Sequence, residues 1–263
     1  MASMETQKMM DLVTEKTGYG VSVIMASDIA SWADMVSASE KNPRHLIRVN
    51  AKYARYGDYL VALQCAMLII KWADPSHLPC FLVRQSKTEQ IINEVSKDHK
   101  LRNLPSAVRH QFSKMIVEGL LNQLQSAPTE MMAIEICYEL CPGLRGVQEE
   151  AVEVNLREMT ASLSTQIRDR TPSEVFSKNT AMNAAFCLEW AERSGDRTPV
   201  IPFETLGFLS KGQELLAAYR AVPVESRERY MLTVDSWAKI LSLHEWYEWQ
   251  FRDEVNKRGT DSL

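Results

Sequence analysis

Apolar residues recur every three or four positions along most of this 263-residue chain. That period places them on one face of an α-helix, whereas a strand would need apolar and polar residues to alternate. One such stripe follows Pro105 and comprises Val108, Phe112, Met115, Ile116, Leu120 and Leu124. A second comprises Val152, Leu156, Met159, Leu163 and Ile167. We therefore predict an all-α fold.

Capping residues and prolines locate the first helices. Ser27 is placed to cap a helix over residues 28–39, and Asn42-Pro43 is a typical start for a helix over 43–56. A further helix is expected from Asp58 to Trp72, where Asp74-Pro75 ends it.

Prolines also mark a loop and a domain boundary. Two of them interrupt residues 198–208, which we expect to be a loop. Arg170-Thr171-Pro172-Ser173 favours a boundary. We predict a multi-helix N-terminal domain over 1–170, bearing a basic surface, and a smaller helical C-terminal domain over 171–263.

The formal charge of −4 conceals an uneven distribution. Residues 1–40 carry a net −4, residues 41–114 a net +8 and residues 115–263 a net −8. The basic block favours a polyanionic partner, and opposite charges on one chain favour head-to-tail association of copies. Compensation of these charges within one monomer is the alternative.

Four cations of the basic block share one face of the expected 43–56 helix. Arg44, Arg48, Lys52 and Arg55 are separated by four, four and three residues, and we call them the basic stripe. Further candidate binding cations are Lys97, Lys100, Arg102, Arg109 and Lys114. Arginine suits phosphate because its planar guanidinium can donate two hydrogen bonds. The stripe could bind anionic lipid, nucleic acid or only solvent, and the spacing does not choose among them.

Residue patterns typical of catalysis or metal binding are absent from the sequence. The five histidines and five cysteines are scattered, and no Gly-rich phosphate loop or G-x-S-x-G motif occurs. We expect neither a catalytic site nor a metal site, no cofactor and no small-molecule substrate. A helical enzyme would require a pocket with convergent titratable groups.

The C-terminal segment is rich in aromatic residues and is expected to be helical. Trp237, Tyr247 and Phe251 can share one face of that helix, which leaves Trp246 and Trp249 off it. These two tryptophans either fill a second core or form a self-assembly surface.

The N-terminal two-thirds of the chain resembles the orthomyxovirus matrix proteins, the influenza-type shell proteins beneath the viral envelope. The resemblance covers about residues 28–170 and points to a distant, thogotovirus-like member. It is carried by Asp28-Ile29-Ala30, Asp34, Val36, Lys41-Asn42, Leu46, Tyr59–Trp72 with Asp74-Pro75-Ser76, Ile136-Cys137-Tyr138, Gly146-Val147, Glu150 and Gln166-Ile167.

This resemblance implies a non-enzymatic structural protein of the virion that forms a homo-oligomeric layer. It further implies contact with the anionic inner leaflet of the membrane and with viral ribonucleoprotein or RNA. The expected locations are the virion, beneath its envelope, and in the host cell the cytoplasm, the inner face of the membrane and the nucleus. The alternative function is that of an all-α, nucleocapsid-like RNA-binding protein.

Two features depart from the influenza pattern. The compact basic run for nuclear import is diluted here to the sequence of residues 97–114, and the Cys-Cys-His-His cluster has no counterpart in residues 155–170. The first departure shifts the polyanion-binding role toward the basic stripe, and the second leaves a zinc site without support.

Overall fold

A computed structural model of the chain describes residues 2–39, 41–74, 78–224, 226 and 228–251. The helices are α1 (Met4–Thr17), α2 (Gly57–Lys71), α3 (Gln85–Ser96), α4 (Ser106–Leu140), α5 (Arg145–Ala161), α6 (Thr165–Arg170), α7 (Ser173–Ser194), α8 (Ile201–Thr205), α9 (Leu209–Ala221) and α10 (Arg229–Ile240). The strands are β1 (Gly20–Ala26), β2 (Ala33–Val36), β3 (Arg44–Asn50), β4 (Pro79–Val83) and β5 (Tyr247–Phe251). The predicted, mostly helical character is confirmed, and two small sheets correct the all-α prediction.

The chain divides into two compact units. The first unit comprises residues 1–78 and 129–154, and the second comprises 79–128 and 155–263. Helices α4 and α5 each contribute to both units. In α4 the division falls after Pro128, which lacks the N–H of an ordinary helical hydrogen bond. The boundary at residue 170 stays a prediction.

The first unit contains a three-stranded sheet of order β1-β3-β2. Strand β3 is central, parallel to β1 and antiparallel to β2. His45, Ile47 and Val49 alternate along β3 and are buried. The amide of Ala38 donates to His45 Nδ1 at 3.1 Å, which fixes the buried ring against the strand. The inner face of this sheet is therefore part of the core.

The expected helices over 28–39 and 43–56 are wrong. Residues 33–36 form β2, and residues 44–50 form β3, followed by a 3₁₀-helix at Ala51–Tyr56. A separation of four is even, so it places two residues on one side of a strand as well as on one side of a helix. The branched side chains of Ile47 and Val49 pack well on a pleated sheet, and their alternation decides the outcome.

Helix α2 confirms the helix expected over 58–72, and its Leu60, Ala62, Cys65 and Leu68 are buried. Pro75 and Ser76, expected to end it, lie outside the described residues. Helix α4 begins beside Pro105 as predicted. Its stripe is only partly correct, because Val108 and Met115 are exposed while Leu120 and Leu124 are buried.

The second unit packs α7 against α9 and adds the two-stranded β4–β5 sheet. The helices approach closely because Gly212 has no side chain; a Cβ there would lie 2.8 Å from Ala184 Cβ. The expected loop over 198–208 is wrong, since it contains a 3₁₀ turn and α8. Pro202 lies in the first turn of α8, where a missing N–H costs nothing.

The expected C-terminal helix ends earlier than predicted. Helix α10 stops at Ile240, a turn with Ser242 at φ 56° follows, and residues 247–251 form β5. Tyr247 stacks on Phe81 of β4, with ring centroids 4.3 Å apart. Cross-strand aromatic contacts of this kind favour a strand over the helix that residue spacing alone predicts.

Candidate polyanion-binding surface

The two arginines of the basic stripe on β3 are held by neighbouring strands. Arg48 makes a bidentate ion pair with Asp34 of β2, with N–O distances of 2.7 and 2.5 Å. This carboxylate raises the pKa of Arg48. Arg44 donates to Ser22 Oγ at 2.7 Å and to the Val21 carbonyl at 2.8 Å. Both guanidinium groups therefore have partners within the sheet.

The other two cations of the stripe lie on the 3₁₀-helix after β3. Lys52 Nζ is 5.0 Å from the ring centre of Tyr53, and the guanidinium of Arg55 lies 4.5 Å from that of Tyr56. Arg55 also pairs with Glu150 of α5. The single-helix stripe is thus replaced by cations on a strand and a short helix, three of which have polar or ionic partners.

The second group of cations lies in the second unit, around a 3₁₀ turn at His99–Leu101. Lys100 Nζ donates to the carbonyls of Arg168 and Thr171, at 2.7 and 2.9 Å. Those carbonyls belong to the end of α6, where main-chain acceptors lack helical partners. Lys100 is therefore a structural link rather than a free charge.

Asp98 fastens the same junction from the other side. Its two carboxylate oxygens accept from the amides of Lys100 and Ser173, each at 2.9 Å. Despite partial burial, these hydrogen bonds lower the pKa of Asp98. The turn after α3 and the end of α6 with the residues that follow it, about 70 positions apart in the chain, are thereby joined by three hydrogen bonds, and the Asp98–Lys100 bond fixes the turn itself.

This junction brings together a cluster of cations that we call the basic patch. Its members are Lys97, Lys100, Arg102, Arg168 and Arg170. Residues 97–102 and 167–171 together contain these five cations and two acids, Asp98 and Asp169, a net +3. Lys97, Arg102 and Arg170 are exposed and have no ionic partner among the described residues.

The last two predicted cations lie on α4. Lys114 is exposed but borders a groove that also contains Glu89, Glu118 and Glu248, so acids oppose its charge. Arg109 is half-buried. Sequence reasoning therefore found three members of the basic patch and missed Arg168 and Arg170, because no local spacing links them to residue 97.

Trp246 and Trp249 are both half-buried within the second unit. Trp249 Nε1 donates to Asp235 at 2.8 Å, and its ring meets Phe81 edge to face. Lys178 Nζ lies 5.1 Å from the ring centre of Trp246. Their intramolecular contacts favour the core alternative, and their role in self-assembly stays a prediction.

The thiols of Cys65 and Cys187 are buried and unreactive, and the described residues contain no cluster of metal-ligating side chains. Burial raises the pKa of the Cys65 and Cys187 thiols to about 12, so both remain protonated at neutral pH. Within the described ranges no three His, Cys, Asp or Glu residues are placed to hold a metal ion. In the same ranges, no helix combines the length and apolarity that crossing a bilayer requires.

A cavity of about 630 Å³ lies beside α7 and α9. Arg220 on its wall donates to Glu189 and Glu192, at 2.5 and 2.6 Å. These carboxylates raise the pKa of Arg220 and neutralise its charge. Apart from Arg197, the charged side chains among the described residues that line the cavity are the paired Arg220 and Glu192, so it does not present a convergent set of reactive groups.

No family model, no curated protein and no solved structure matches this chain. The resemblance to matrix proteins thus depends only on the residues quoted in the sequence analysis. Any functional proposal has to be argued from the basic patch.

Proposed function

We propose that this chain is a viral matrix-type structural protein, without enzymatic activity, that self-assembles into a layer and binds polyanions through the basic patch. The polyanions are the anionic inner face of the membrane and, secondarily, ribonucleoprotein. The proposal includes the two-domain organisation with a boundary at residue 170 and a location beneath the virion envelope.

The observation that carries this proposal is the fixed geometry of the basic patch. The side chains of Lys100 and Asp98 make the hydrogen bonds that hold the junction together. Lys97, Arg102 and Arg170 are exposed to solvent. Cations held on a rigid junction lose less conformational freedom on binding than cations on a loose loop. Each one near an anionic leaflet contributes about 1 kcal/mol.

The chemistry around the basic patch favours lipid over RNA. Ile167, next to Arg168, is 43% exposed and can contact the acyl boundary of a leaflet. Single-stranded RNA is bound by aromatic side chains that stack on bases. Residues 97–102 and 167–171 contain no Phe, Tyr or Trp. The same cations can also bind the phosphates of ribonucleoprotein without sequence preference.

Flotation with phosphatidylserine-containing and phosphatidylcholine vesicles at low salt tests the proposal. The wild type should float only with anionic vesicles. Lys97→Glu combined with Arg170→Glu should weaken binding by at least about 30-fold, since two cations contribute about 2 kcal/mol. The control, Arg157→Glu with Lys239→Glu, makes the same charge change at two exposed positions outside the patch.

Two results would overturn the proposal. Equal loss of flotation in the control would show that net charge, not the basic patch, drives binding. Tight single-stranded RNA binding by a protein that ignores anionic vesicles would favour the nucleocapsid-like alternative.

A further inference from the structure

Strand β1 is an open edge of the three-stranded sheet. It pairs with β3 on one side, and among the described residues no strand pairs with its other side. An edge strand presents main-chain N–H and C=O groups that another strand can pair with. Native proteins usually protect such an edge with lysine, proline, a bulge or a covering element.

β1 carries none of the protecting residues. Its sequence, GVSVIMA, has no charge and no proline. Three consecutive apolar side chains are exposed: Val23 by 39%, Ile24 by 46% and Met25 by 53%. Consecutive residues of a strand point to opposite faces, so apolar surface lies on both sides of this edge. That combination is typical of a strand that pairs with another chain.

Charges at the two ends of β1 identify its partner. At the N-terminal end the guanidinium of Arg44 lies against Gly20, 3.4 Å from where a Cβ would be. At the C-terminal end Asp28 follows the strand and is exposed. Asp28 remains near the sheet, since its charge helps to raise the pKa of Arg48. The strand therefore has a positive beginning and a negative end.

We propose that β1 pairs antiparallel with β1 of a second copy, so that a continuous six-stranded sheet forms across a two-fold axis. Antiparallel pairing places Arg44 of one copy beside Asp28 of the other, and the symmetry repeats this contact. Parallel pairing would place like charges together. The β1 edge would be one of the surfaces through which copies associate in the proposed layer, and this biological role rests on the proposed function.

The size of the surface indicates a weak dimer. Seven paired residues span about 23 Å and bury less than the roughly 1,200 Å² of a standard interface. Such a contact dissociates in dilute solution and is populated when copies concentrate on a surface.

Analytical ultracentrifugation of the full chain, without lipid and over a wide concentration range, tests the inference. The wild type should show a monomer–dimer equilibrium. Ile24→Lys should weaken dimerisation by about tenfold or more, because the axis passes through Val23 and each new charge lies one position from it, on the same face of the sheet. The matched control is Val36→Lys, since Val36 is 48% exposed on β2, the other edge of the same sheet. Its dimerisation constant should stay within about twofold of the wild type.

A charge exchange tests the orientation. Asp28→Arg alone should weaken the dimer, and adding Arg44→Asp should restore it, because only antiparallel pairing joins the two positions. Thermal unfolding confirms that each variant is folded. A wild type that stays monomeric, or a dimer lost through Val36→Lys instead, overturns the inference. Vesicle flotation is measured separately: a wild type that floats with anionic vesicles but never dimerises contradicts this inference alone, whereas a wild type that does not float contradicts the proposed function.

Discussion

The basic stripe and the basic patch differ in what their cations contact. In the stripe, Arg48 and Arg55 each meet a carboxylate, and Arg44 is bonded inside the sheet. In the patch, Lys100 donates to main-chain carbonyls. Three others are exposed and have no ionic partner in the described part of the chain, namely Lys97, Arg102 and Arg170. Two of the four stripe cations are thus neutralised by carboxylates, whereas three of the five patch cations are available to a ligand.

The charge distribution of the two units explains this difference. The first unit contains nine basic and 14 acidic side chains, a net −5, and the second contains 21 and 20, a net +1. The +8 segment of the sequence is therefore divided between the units, and its first half belongs to the unit that also contains the acids of residues 1–40 and 129–154. Averaging charge along the chain overstates the basic character of the stripe, because folding mixes distant segments.

Removing charge from each region in turn is the strongest test of this comparison. Replacing Lys97, Arg102 and Arg170 by Gln should weaken binding to anionic vesicles by about 100-fold, as three cations contribute about 3 kcal/mol. Replacing Arg48, Lys52 and Arg55 by Gln removes the same charge and should cost less than about threefold. Vesicle titration at one salt concentration measures both. Equal losses would mean that the two regions act alike.

A pH series distinguishes the units through their carboxyl groups. Burial raises the pKa of Glu130, in the first unit, from 4.5 to about 7. Its proton is held more tightly in the folded state, so stability falls as pH rises from about 4.5 to 7. Asp98 has a lowered pKa, and its contribution is lost only as pH falls below 3.8.

Glu130→Gln should therefore flatten the stability profile by about 1–3 kcal/mol between pH 5 and 8. Urea unfolding at each pH measures this effect. Vesicle binding by the variant at pH 7 should equal that of the wild type. An unchanged pH profile would show that Glu130 ionises as freely in the folded protein as in the unfolded chain.

Asp98→Asn tests whether geometry, rather than charge alone, makes the basic patch. Asn offers one oxygen where the carboxylate accepts two amides, so one charge-assisted hydrogen bond is lost, at about 1–2 kcal/mol of stability. Vesicle affinity should fall although the formal charge becomes more positive. Asp169→Asn makes the same charge change at an exposed carboxylate and should slightly strengthen binding. If both variants bound vesicles more strongly, net charge alone would explain the binding, and the geometry of the basic patch would play no part.

Local sequence patterns predicted the elements whose contacts are local. The apolar run of α2, its stop before Asp74 and the start of α4 beside Pro105 follow from neighbouring residues. The spacing of four among the stripe cations fits both a helix and a strand, and the alternation of His45, Ile47 and Val49 together with pairing to β1 and β2 makes β3 a strand. No residue near Lys97 signals the end of α6, so two arginines of the patch could not be predicted.

The smallest expected effect comes from releasing a cation of the basic stripe. Asp34→Asn removes the bidentate partner of Arg48, a pair about one-third exposed on each side, so we expect little change in stability. The freed guanidinium should raise vesicle affinity by less than about fivefold, the contribution of one cation. The control Asp11→Asn makes the same charge change at an exposed position of α1, where the carboxylate meets the neutral Gln7 and, among the described residues, no cation. If Asp34→Asn strengthened binding as much as the patch substitutions weaken it, the stripe would be a masked binding surface, and the distinction between the two regions would reduce to a single ion pair.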